Sequence, residues 1–474
     1  MRPSRIVTLA TLIAAASACS SSKSSSCNPG DPGACGGGQV CEAVAGGEPA
    51  CFPPVAVKGK VTDLATGAAV AGARVVALDA NRAPASAVAI TDSAGSYTLT
   101  VAAARTRDVV PTAAVTLRTD ARDYQCFPGG VRAALPIDLA AATLASDKSG
   151  WSVESALTDV GLIHLPDTTN LLSISGKVAK PPSRVGVLVV AEPQGGGRGL
   201  TAIADADGSY TIFNLPAAAA PGVGYSVSAY GKGLNYAPAT ATLTVGASAP
   251  SVDLAVANSK TATIDGGLIF NSGASTPTSV ALVVASTYDA ALDRGESPPA
   301  LVAQIASGGS YEIPGVPDGQ YVALAAFGID GDVRDLSGTG NTAPVHVLVQ
   351  GGALVGSLGQ FKLVGAVQLD SIDGVAIGND GVPVTLATAT PSFVWSKAPS
   401  YSSAAQYRVD VLDAFGTLAW TAMQTGSGSN SFTATYAGVP LQSGMYYQLR
   451  IEALDGTGNV LSQTEDLKGV FYFP

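Results

Sequence analysis

The chain has 474 residues, of which 47% are apolar and only 13% are charged. This length predicts about three to four domains rather than a single core. The 55 glycines and 29 prolines stay below the share that marks low-complexity chains. The formal net charge is -10 and no cluster of Lys and Arg occurs. Without a basic patch to neutralise phosphates, nucleic acid and anionic lipid surfaces are excluded as partners.

The first 18 residues carry the features of an export signal. Arg2 and Arg5 precede an apolar run at 6–16, which is too short to remain as a membrane-spanning helix. Small residues follow this run and lead directly to Cys19. The sequence therefore predicts removal of residues 1–18 and an exported mature chain.

The stretch ASAC at 16–19 resembles a bacterial lipoprotein box, although Leu is more usual where Ala16 stands. The resemblance implies that Cys19 becomes the lipidated N-terminus and that the protein is an outer-membrane lipoprotein on the periplasmic or cell-surface face. The Ser-rich residues 19–26 then form a flexible tether. Ordinary signal cleavage is the alternative, and it leaves Cys19 as a free thiol or a disulfide partner.

A short Cys-rich segment follows at 27–53. It is too small and too rich in Gly and Pro to hold a core, so two disulfides are predicted to staple it. Zinc is the competing interpretation, but the segment has no CxxC pair and no nearby His. Three pairings are open for its four cysteines, which are Cys27, Cys35, Cys41 and Cys51. Cys126 either pairs into this cluster or remains a buried, unreactive thiol.

One phrase returns at intervals of about a domain length: GSYTLTV at 95–101, GSYTIFNL at 208–215 and GSYEIPGVP at 309–317. Alternating apolar residues after the tyrosine indicate a half-buried strand, and the preceding Asp and Gly indicate a turn. Short strands of similar order surround each copy, so the sequence predicts all-β, tandem antiparallel sandwiches. The central expectation is that Tyr97, Tyr210 and Tyr311 occupy corresponding places.

Family resemblances refine this plan. GKVTD, the TG and GARV that follow it, and TDSAGSYTLTV are similar to the carboxypeptidase regulatory-like domain, a transthyretin-like sandwich. This resemblance implies a binding or spacer module without the peptidase. GVPDGQYVALAAF and TEDLKGVFYFP resemble segments of myxobacterial lipoproteins, which implies place and architecture but no activity. The predicted sandwiches span 54–145, 171–258 and 259–370, with a linker at 146–170.

The C-terminal block at 389–474, after a predicted linker at 371–388, resembles a fibronectin type III domain. The resemblance implies that Trp395 is the core tryptophan and that Tyr447 bonds back to upstream backbone, a structural role. It also implies that Tyr407 and Val409 lie on the strand after Trp395, and that Leu441, Leu449 and Ile451 match the turn leucine and the tyrosine-bearing strand.

No catalytic pattern is visible. His164 and His346 lie among apolar residues in separate segments, and no nucleophile elbow, Walker loop or HExxH motif occurs. We therefore expect no enzyme and no cofactor. A pair of carboxylates that meet only in the fold would be the exception, and it would indicate an envelope hydrolase.

Two weak binding sites remain as hypotheses. Asp330, Asp332 and Asp335 offer oxygen ligands for Ca²⁺ from one loop, but the EF-hand template fails and Arg334 is an alternative partner for the aspartates. Tyr230 and Tyr236 offer rings on which a sugar stacks.

The sequence thus predicts a non-catalytic, lipid-anchored cell-envelope protein. Its β-sandwich array would act as a spacer, an adhesion module or a binding scaffold. A carbohydrate-binding accessory protein of the envelope is the alternative. The predicted partners are the membrane, through the N-terminal lipid, and an envelope protein or polysaccharide.

Overall fold

The computed structural model describes residues 27–29, 34–147, 150–179, 186–247, 249–270, 278–305, 309–326, 328–329, 331–335, 345–358, 360–399, 404–426 and 428–474. The signal, Cys19 and the Ser-rich tether lie outside these ranges. Within them the chain forms β-strands, with 3-10 turns at Leu139–Ala141 and Ala285–Thr287 and no α-helix. The all-β fold class is confirmed. No helix in the described ranges is long and apolar enough to cross a membrane.

The N-terminal knot is a disulfide-bonded hairpin of β1 (Val40–Glu42) and β2 (Ala50–Phe52). Disulfides join Cys27 to Cys41 and Cys35 to Cys51, with Cα atoms 5.7 and 5.8 Å apart. The predicted stapling is therefore confirmed, and the structure selects one of the three pairings. All four thiols are used, which leaves none as a zinc ligand.

The first sandwich encloses one apolar core between two sheets. Its strands are β3 (Val55–Asp63), β4 (Arg74–Leu78), β5 (Ala89–Ile90), β6 (Ser96–Val101), β7 (Ala104–Arg105), β8 (Pro111–Thr112), β9 (Ala114–Asp120), β10 (Ile137–Asp138), β11 (Thr143–Leu144), β12 (Trp151–Val153) and β13 (Val160–Leu162). One sheet has the order β10-β9-β4-β5. In the other, β3 pairs with antiparallel β6 on one side and with parallel β12 and β13 on the other.

The second sandwich repeats this plan. Its strands are β14 (Leu171–Lys177), β15 (Val187–Pro193), β16 (Leu200–Ile203), β17 (Ser209–Pro216), β18 (Val223–Gly231), β19 (Leu234–Tyr236), β20 (Ala239–Leu243) and β21 (Val256–Asn258). The first strand, β14, again pairs with the strand of the repeated phrase, β17. Parallel bridges from 251 and 254 flank its other side.

The third sandwich has the same order of pairing. Its strands are β22 (Ala262–Phe270), β23 (Thr278–Val284), β24 (Val302–Ile305), β25 (Ser310–Val316), β26 (Gly319–Ala325), β27 (Asp332–Arg334), β28 (Val345–Gln350), β29 (Ala353–Val355) and β30 (Phe361–Gly365). Here β22 pairs with antiparallel β25 and parallel β30.

The fourth sandwich is built around an aromatic core. Its strands are β31 (Gln368–Ile372), β32 (Val375–Ala376), β33 (Val384–Thr385), β34 (Ser392–Ser396), β35 (Gln406–Asp413), β36 (Leu418–Thr425), β37 (Ser431–Thr435), β38 (Met445–Leu454), β39 (Val460–Gln463) and β40 (Val470–Phe473). Trp395 is fully buried against Tyr407 and Phe432. The Tyr447 hydroxyl accepts a hydrogen bond from Gln442 N at 2.7 Å, as the fibronectin resemblance implies.

Both predicted linkers are wrong. Segment 146–170 contains β12 and β13, and segment 371–388 contains β32 and β33. These strands are only two or three residues long, so they show no alternation in the sequence. They nevertheless complete sheets of the first and fourth sandwiches, and the chain passes from one sandwich to the next without a long free connection.

The tyrosine of the repeated phrase occupies the same place in the first three sandwiches. It is buried in each, and its strand enters through a turn whose glycine has a positive φ where that turn is described, 72° at Gly95 and 83° at Gly208. Each tyrosine lies opposite a glycine of the first strand. The three glycine–tyrosine pairs are Gly59 with Tyr97, Gly176 with Tyr210, and Gly266 with Tyr311.

The tyrosine hydroxyl reaches across the glycine to the parallel segment beyond it. Tyr97 donates to the Thr158 carbonyl at 2.5 Å, and Tyr210 donates to the Val252 carbonyl at 2.6 Å. The position opposite a first-strand glycine is therefore shared by all three tyrosines, as expected from the sequence, and the hydroxyl contact is described for the first two.

Candidate functional site: the junctions between the sandwiches

The sandwiches do not form the string that the repeats suggest, because outer sheet faces are buried between them. In β4, Val75 and Ala77 face the core of the first sandwich, whereas its outer residues join the core of the third. In β15 of the second sandwich, the outward-facing residues likewise join the core of the third sandwich. This apolar junction consists of Val76, Leu78, Leu188, Val190 and Ile203, packed into the same cluster as the third core.

A sequence signal for the apolar junction was present and was missed. Residues 74–78 read RVVAL and residues 187–191 read VLVVA. A strand with one solvated face alternates, whereas a strand buried on both faces is apolar throughout. These uninterrupted runs therefore indicated that both faces of β4 and β15 are covered.

Arg118 links three sandwiches with one guanidinium. It lies on β9, is 3% exposed, and forms ion pairs with Asp120 at 3.1 Å and with Glu296 of the third sandwich at 3.2 Å. It also donates to the Thr201 hydroxyl of the second sandwich at 3.0 Å. Burial alone would lower the pKa of Arg118, but the two carboxylates outweigh burial and raise it.

Asn214 joins the second sandwich to a loop of the first. Its side-chain oxygen accepts from Asp123 N at 2.7 Å, and its amide nitrogen donates to the carbonyls of Ala121 at 2.9 Å and Tyr124 at 2.8 Å. The side chain thus satisfies three backbone groups of the neighbouring sandwich, which fixes the orientation of that loop.

The third and fourth sandwiches meet through a charged junction, beside a small apolar cluster that includes Leu292 and Leu412. Asp293 pairs with Arg334 and accepts from the Tyr288 hydroxyl at 2.6 Å. On the other side of the boundary, Asp466 and Arg450, both of the fourth sandwich, form an ion pair at 3.0 Å. Burial lowers the pKa of the neighbouring Arg294 to about 10.

Glu465 completes the charged junction. It pairs with Lys468 at 2.5 Å and accepts from Gly331 N of the third sandwich at 2.7 Å. A cavity of about 30 Å³ lies between Asp293, Arg334, Glu465 and Asp466, with room for about two water molecules.

This cluster is the place where the hydrolase hypothesis is tested, because three carboxylates converge on one cavity. Each of the three carboxylates has a cationic partner in its own sandwich. The arrangement is a set of partly buried ion pairs, and hydrogen bonds to backbone groups connect it across the boundary, from Gly331 N to Glu465 and from Arg450 to the Ala291 carbonyl.

Two of the three predicted calcium ligands lie in the described ranges, and both are buried. Asp332 opens strand β27 and is fully buried, Asp335 follows this strand and is 2% exposed, and both are engaged in other contacts. Asp330 lies outside the described ranges. Arg334 pairs with Asp293 rather than with an aspartate of its own segment. Asp332 and Arg334 thus belong to a strand, where the sequence predicted one loop for the aspartates, because β27 pairs with β30 next to the fourth sandwich.

The two tyrosines of the sugar hypothesis are covered as well. Tyr236 is 8% exposed and belongs to the core of the second sandwich. Tyr230 does face outward, but the third sandwich lies against it, with the Tyr321 ring edge-on at 5.9 Å. Burial raises the pKa of Tyr230 to about 12. Because both rings are covered, neither is an exposed stacking platform. The sequence could not reveal that this outer face is an interface.

The remaining candidate residues have structural positions. Cys126 is an unpaired thiol whose pKa burial raises to about 12, in keeping with the unreactive alternative. His346 lies on β28. His164 is exposed and packs edge-on against Tyr124 with 5.2 Å between ring centroids. The two histidines lie on different sandwiches and share no site.

The fold and its junctions define a class: an all-β protein of four contacting sandwiches behind a disulfide-bonded knot. No protein-family model matches the chain, and no curated protein matches it. The carboxypeptidase regulatory-like and fibronectin type III resemblances therefore stay predictions at the family level.

Among solved structures, the chain is similar to BcpA, the major pilin subunit of Bacillus cereus, at 11% identity over 65% of this chain and 99% of that one, with a TM-score of 0.16. A tetra-tandem repeat in the extending region of a large adhesion protein gives 14% identity over 87% and 98%, with a TM-score of 0.15. The Bacillus anthracis TIE protein gives 9% over 65% of this chain and a TM-score of 0.16, and only 49% of its length is matched. The fold assignment rests on the strand pairings above and not on these likenesses.

Proposed function

We propose that the protein is a non-catalytic, lipid-anchored cell-envelope protein whose four sandwiches form one adhesion or binding scaffold. The observation that carries the proposal is the Arg118 contact, where one buried side chain binds groups of three sandwiches. A flexible spacer needs free connections between its modules. Here the connections between the strands of successive sandwiches are short, at 163–170, 259–261 and 366–367, and the interfaces between modules are buried.

The N-terminal region supports attachment to a surface. Two disulfides in a segment of this size are typical of an oxidising, exported location. The knot is fixed to the first sandwich, because Glu42 forms a buried ion pair with Arg105 and the Arg105 carbonyl accepts from Ala45 N at 2.8 Å. A lipid on Cys19 would therefore attach the scaffold to a membrane at the end that carries the knot.

Calorimetry tests the scaffold. We expect the intact chain to unfold in one dominant transition, and Arg118→Ala to split off at least one separate transition because it breaks contacts among three sandwiches. Arg122→Ala is the matched control, since that side chain is 71% exposed. Independent transitions in the unaltered chain, unchanged by Arg118→Ala, would contradict the scaffold and favour a string of spacers.

Membrane fractionation tests the anchor separately. We expect the unaltered protein in the membrane fraction and Cys19→Ala in the soluble fraction, with Cys126→Ala as the control that remains in membranes. The mass of the mature N-terminus should include a lipid on Cys19. An unaltered protein that fractionates as soluble would exclude the anchor and leave the scaffold untouched.

A further inference from the structure

The fourth sandwich contains a long uncharged stretch of chain. Residues 414–449 include no Asp, Glu, Lys, Arg or His, and no other run in the sequence is as long. The whole chain has a net charge of -10. Two copies of such a protein repel each other over most of their surface, and this segment is where repulsion is weakest.

The fold places the middle of this stretch, 418–435, on one side of the sandwich. It supplies β36 and β37, which are edge strands of the two facing sheets. Large apolar side chains are exposed there: Leu418 and Met423 by 53% each and Val439 by 64%. Trp420, half-buried, packs against Phe393 and Tyr436 and fills the opening between the two edges.

Strand β36 is an edge strand, and Gly438 of a neighbouring loop approaches it closely near Ala419, at its beginning. It has eight residues, contains neither charge nor proline, and within the described ranges its outer side pairs with no strand. Natural sheets usually protect such an edge with lysine, proline or a short strand. The edge strand β25 of the third sandwich carries Glu312 and Pro314 in this way. A long uncharged edge is a template for pairing with another strand.

We propose that β36 is the docking surface for a second copy of this chain, paired antiparallel about a twofold axis near Thr421. A twofold axis perpendicular to the sheet places identical faces side by side, so Thr421 lies opposite or diagonal to its own copy. Threonine pairs are favourable at such positions, whereas like charges are not. The absence of charge along β36 therefore permits self-pairing, and the exposed Leu418 and Met423 gain apolar cover.

Analytical ultracentrifugation of the full chain carrying Cys19→Ala tests this proposal without a contribution from lipid. We expect a reversible dimer whose fraction rises with protein concentration. Thr421→Lys and Thr421→Glu should each raise the dimer dissociation constant about fivefold to tenfold, because like charges then face each other. An equimolar mixture of the two variants should restore dimer, since the charges become opposite.

Thr98→Lys and Thr98→Glu are the matched controls, because Thr98 is an exposed threonine of the edge strand β6 in the first sandwich. They should leave the dissociation constant unchanged. A non-reducing gel excludes a disulfide through Cys126. A chain that stays monomeric up to about 1 mM overturns the proposal. That result is expected if β36 binds a different partner. A dimer that responds equally to the Thr421 and Thr98 changes also overturns it.

Discussion

The apolar junction and the charged junction join the same kind of module in opposite ways. In the apolar junction, Leu188 and Val190 of the second sandwich enter the cluster that forms the core of the third. In the charged junction, Asp293 and Asp466 each pair with an arginine at a small polar cavity between the third and fourth sandwiches. The apolar junction buries side chains that need no hydrogen-bond partners. The charged junction buries charged groups, and each of these needs a partner that replaces water.

The comparison teaches what each junction contributes. Apolar burial is proportional to area and indifferent to direction, so it supplies most of the free energy that holds the first three sandwiches together. A buried ion pair contributes little net stability compared with an apolar replacement. Removing one partner, however, leaves an unpaired buried charge and is strongly destabilising. The charged junction therefore fixes the orientation of the fourth sandwich more than it adds stability.

The largest expected effect is in the apolar junction. Leu188→Ala should lower the free energy of unfolding by about 3 kcal/mol, because Leu188 is fully buried and the change leaves a cavity. Urea unfolding followed by circular dichroism measures the loss. Leu157→Ala is the control, since Leu157 is 46% exposed, and it should change stability by less than about 0.5 kcal/mol. Equal losses for the two variants would refute the buried apolar junction.

The charged junction should show a smaller, partner-dependent loss. Arg450→Ala leaves the Asp466 carboxylate, whose side chain is only 10% exposed, without its ion-pair partner and should cost about 2 kcal/mol. The double variant Arg450→Met with Asp466→Asn should recover most of that loss, because neither charge is then left alone. A double variant as unstable as Arg450→Ala would mean that the pair itself supplies the stability.

Bonds inside a sandwich provide the next comparison. Tyr97→Phe and Tyr210→Phe each remove one hydroxyl that donates to a backbone carbonyl, and each should cost about 1 kcal/mol. Neither hydroxyl contacts another sandwich, so proteolysis should report the same protected boundaries as in the unaltered chain. New cleavage at the junctions would show that the glycine–tyrosine pairs also control packing between modules.

The smallest effect concerns a turn outside both junctions. Hydrogen bonds from Ser209 lower the pKa of Asp207 below its usual value of 3.8. A lowered folded pKa means that the contribution is present above about pH 4 and is lost as the pH falls through the folded value. Because the group is exposed, Asp207→Asn should change stability by less than about 0.5 kcal/mol at pH 7. The difference in urea midpoint between the unaltered protein and Asp207→Asn should be smaller at pH 3 than at pH 7. A difference that is larger at pH 3 would contradict the lowered pKa of Asp207.

Much of the fold inside each sandwich could be predicted from sequence, because it depends on local rules. Alternation after Tyr97 and the Asp-Gly turn chemistry fix a strand and its entry within a few residues. The junctions could not be predicted in this way. Arg118 contacts Thr201, 83 positions away, and Glu296, 178 positions away. Nothing in a local window indicates which sandwich faces which, and this is also why Tyr230 looked like an exposed ring.

The glycine–tyrosine pairs restrict how this chain can vary. A methyl group on Gly59 would collide with the Thr158 carbonyl, on Gly176 with the Val252 carbonyl, and on Gly266 with the Tyr311 ring. The two halves of each pair are separated by an entire hairpin whose loops differ in length between copies. The pair therefore does not depend on the length of the hairpin between its halves, whereas a side chain in place of the glycine would need space that a carbonyl or the tyrosine occupies. The first three sandwiches therefore share a glycine–tyrosine pair that can be recognised in the sequence only when positions far apart are compared together.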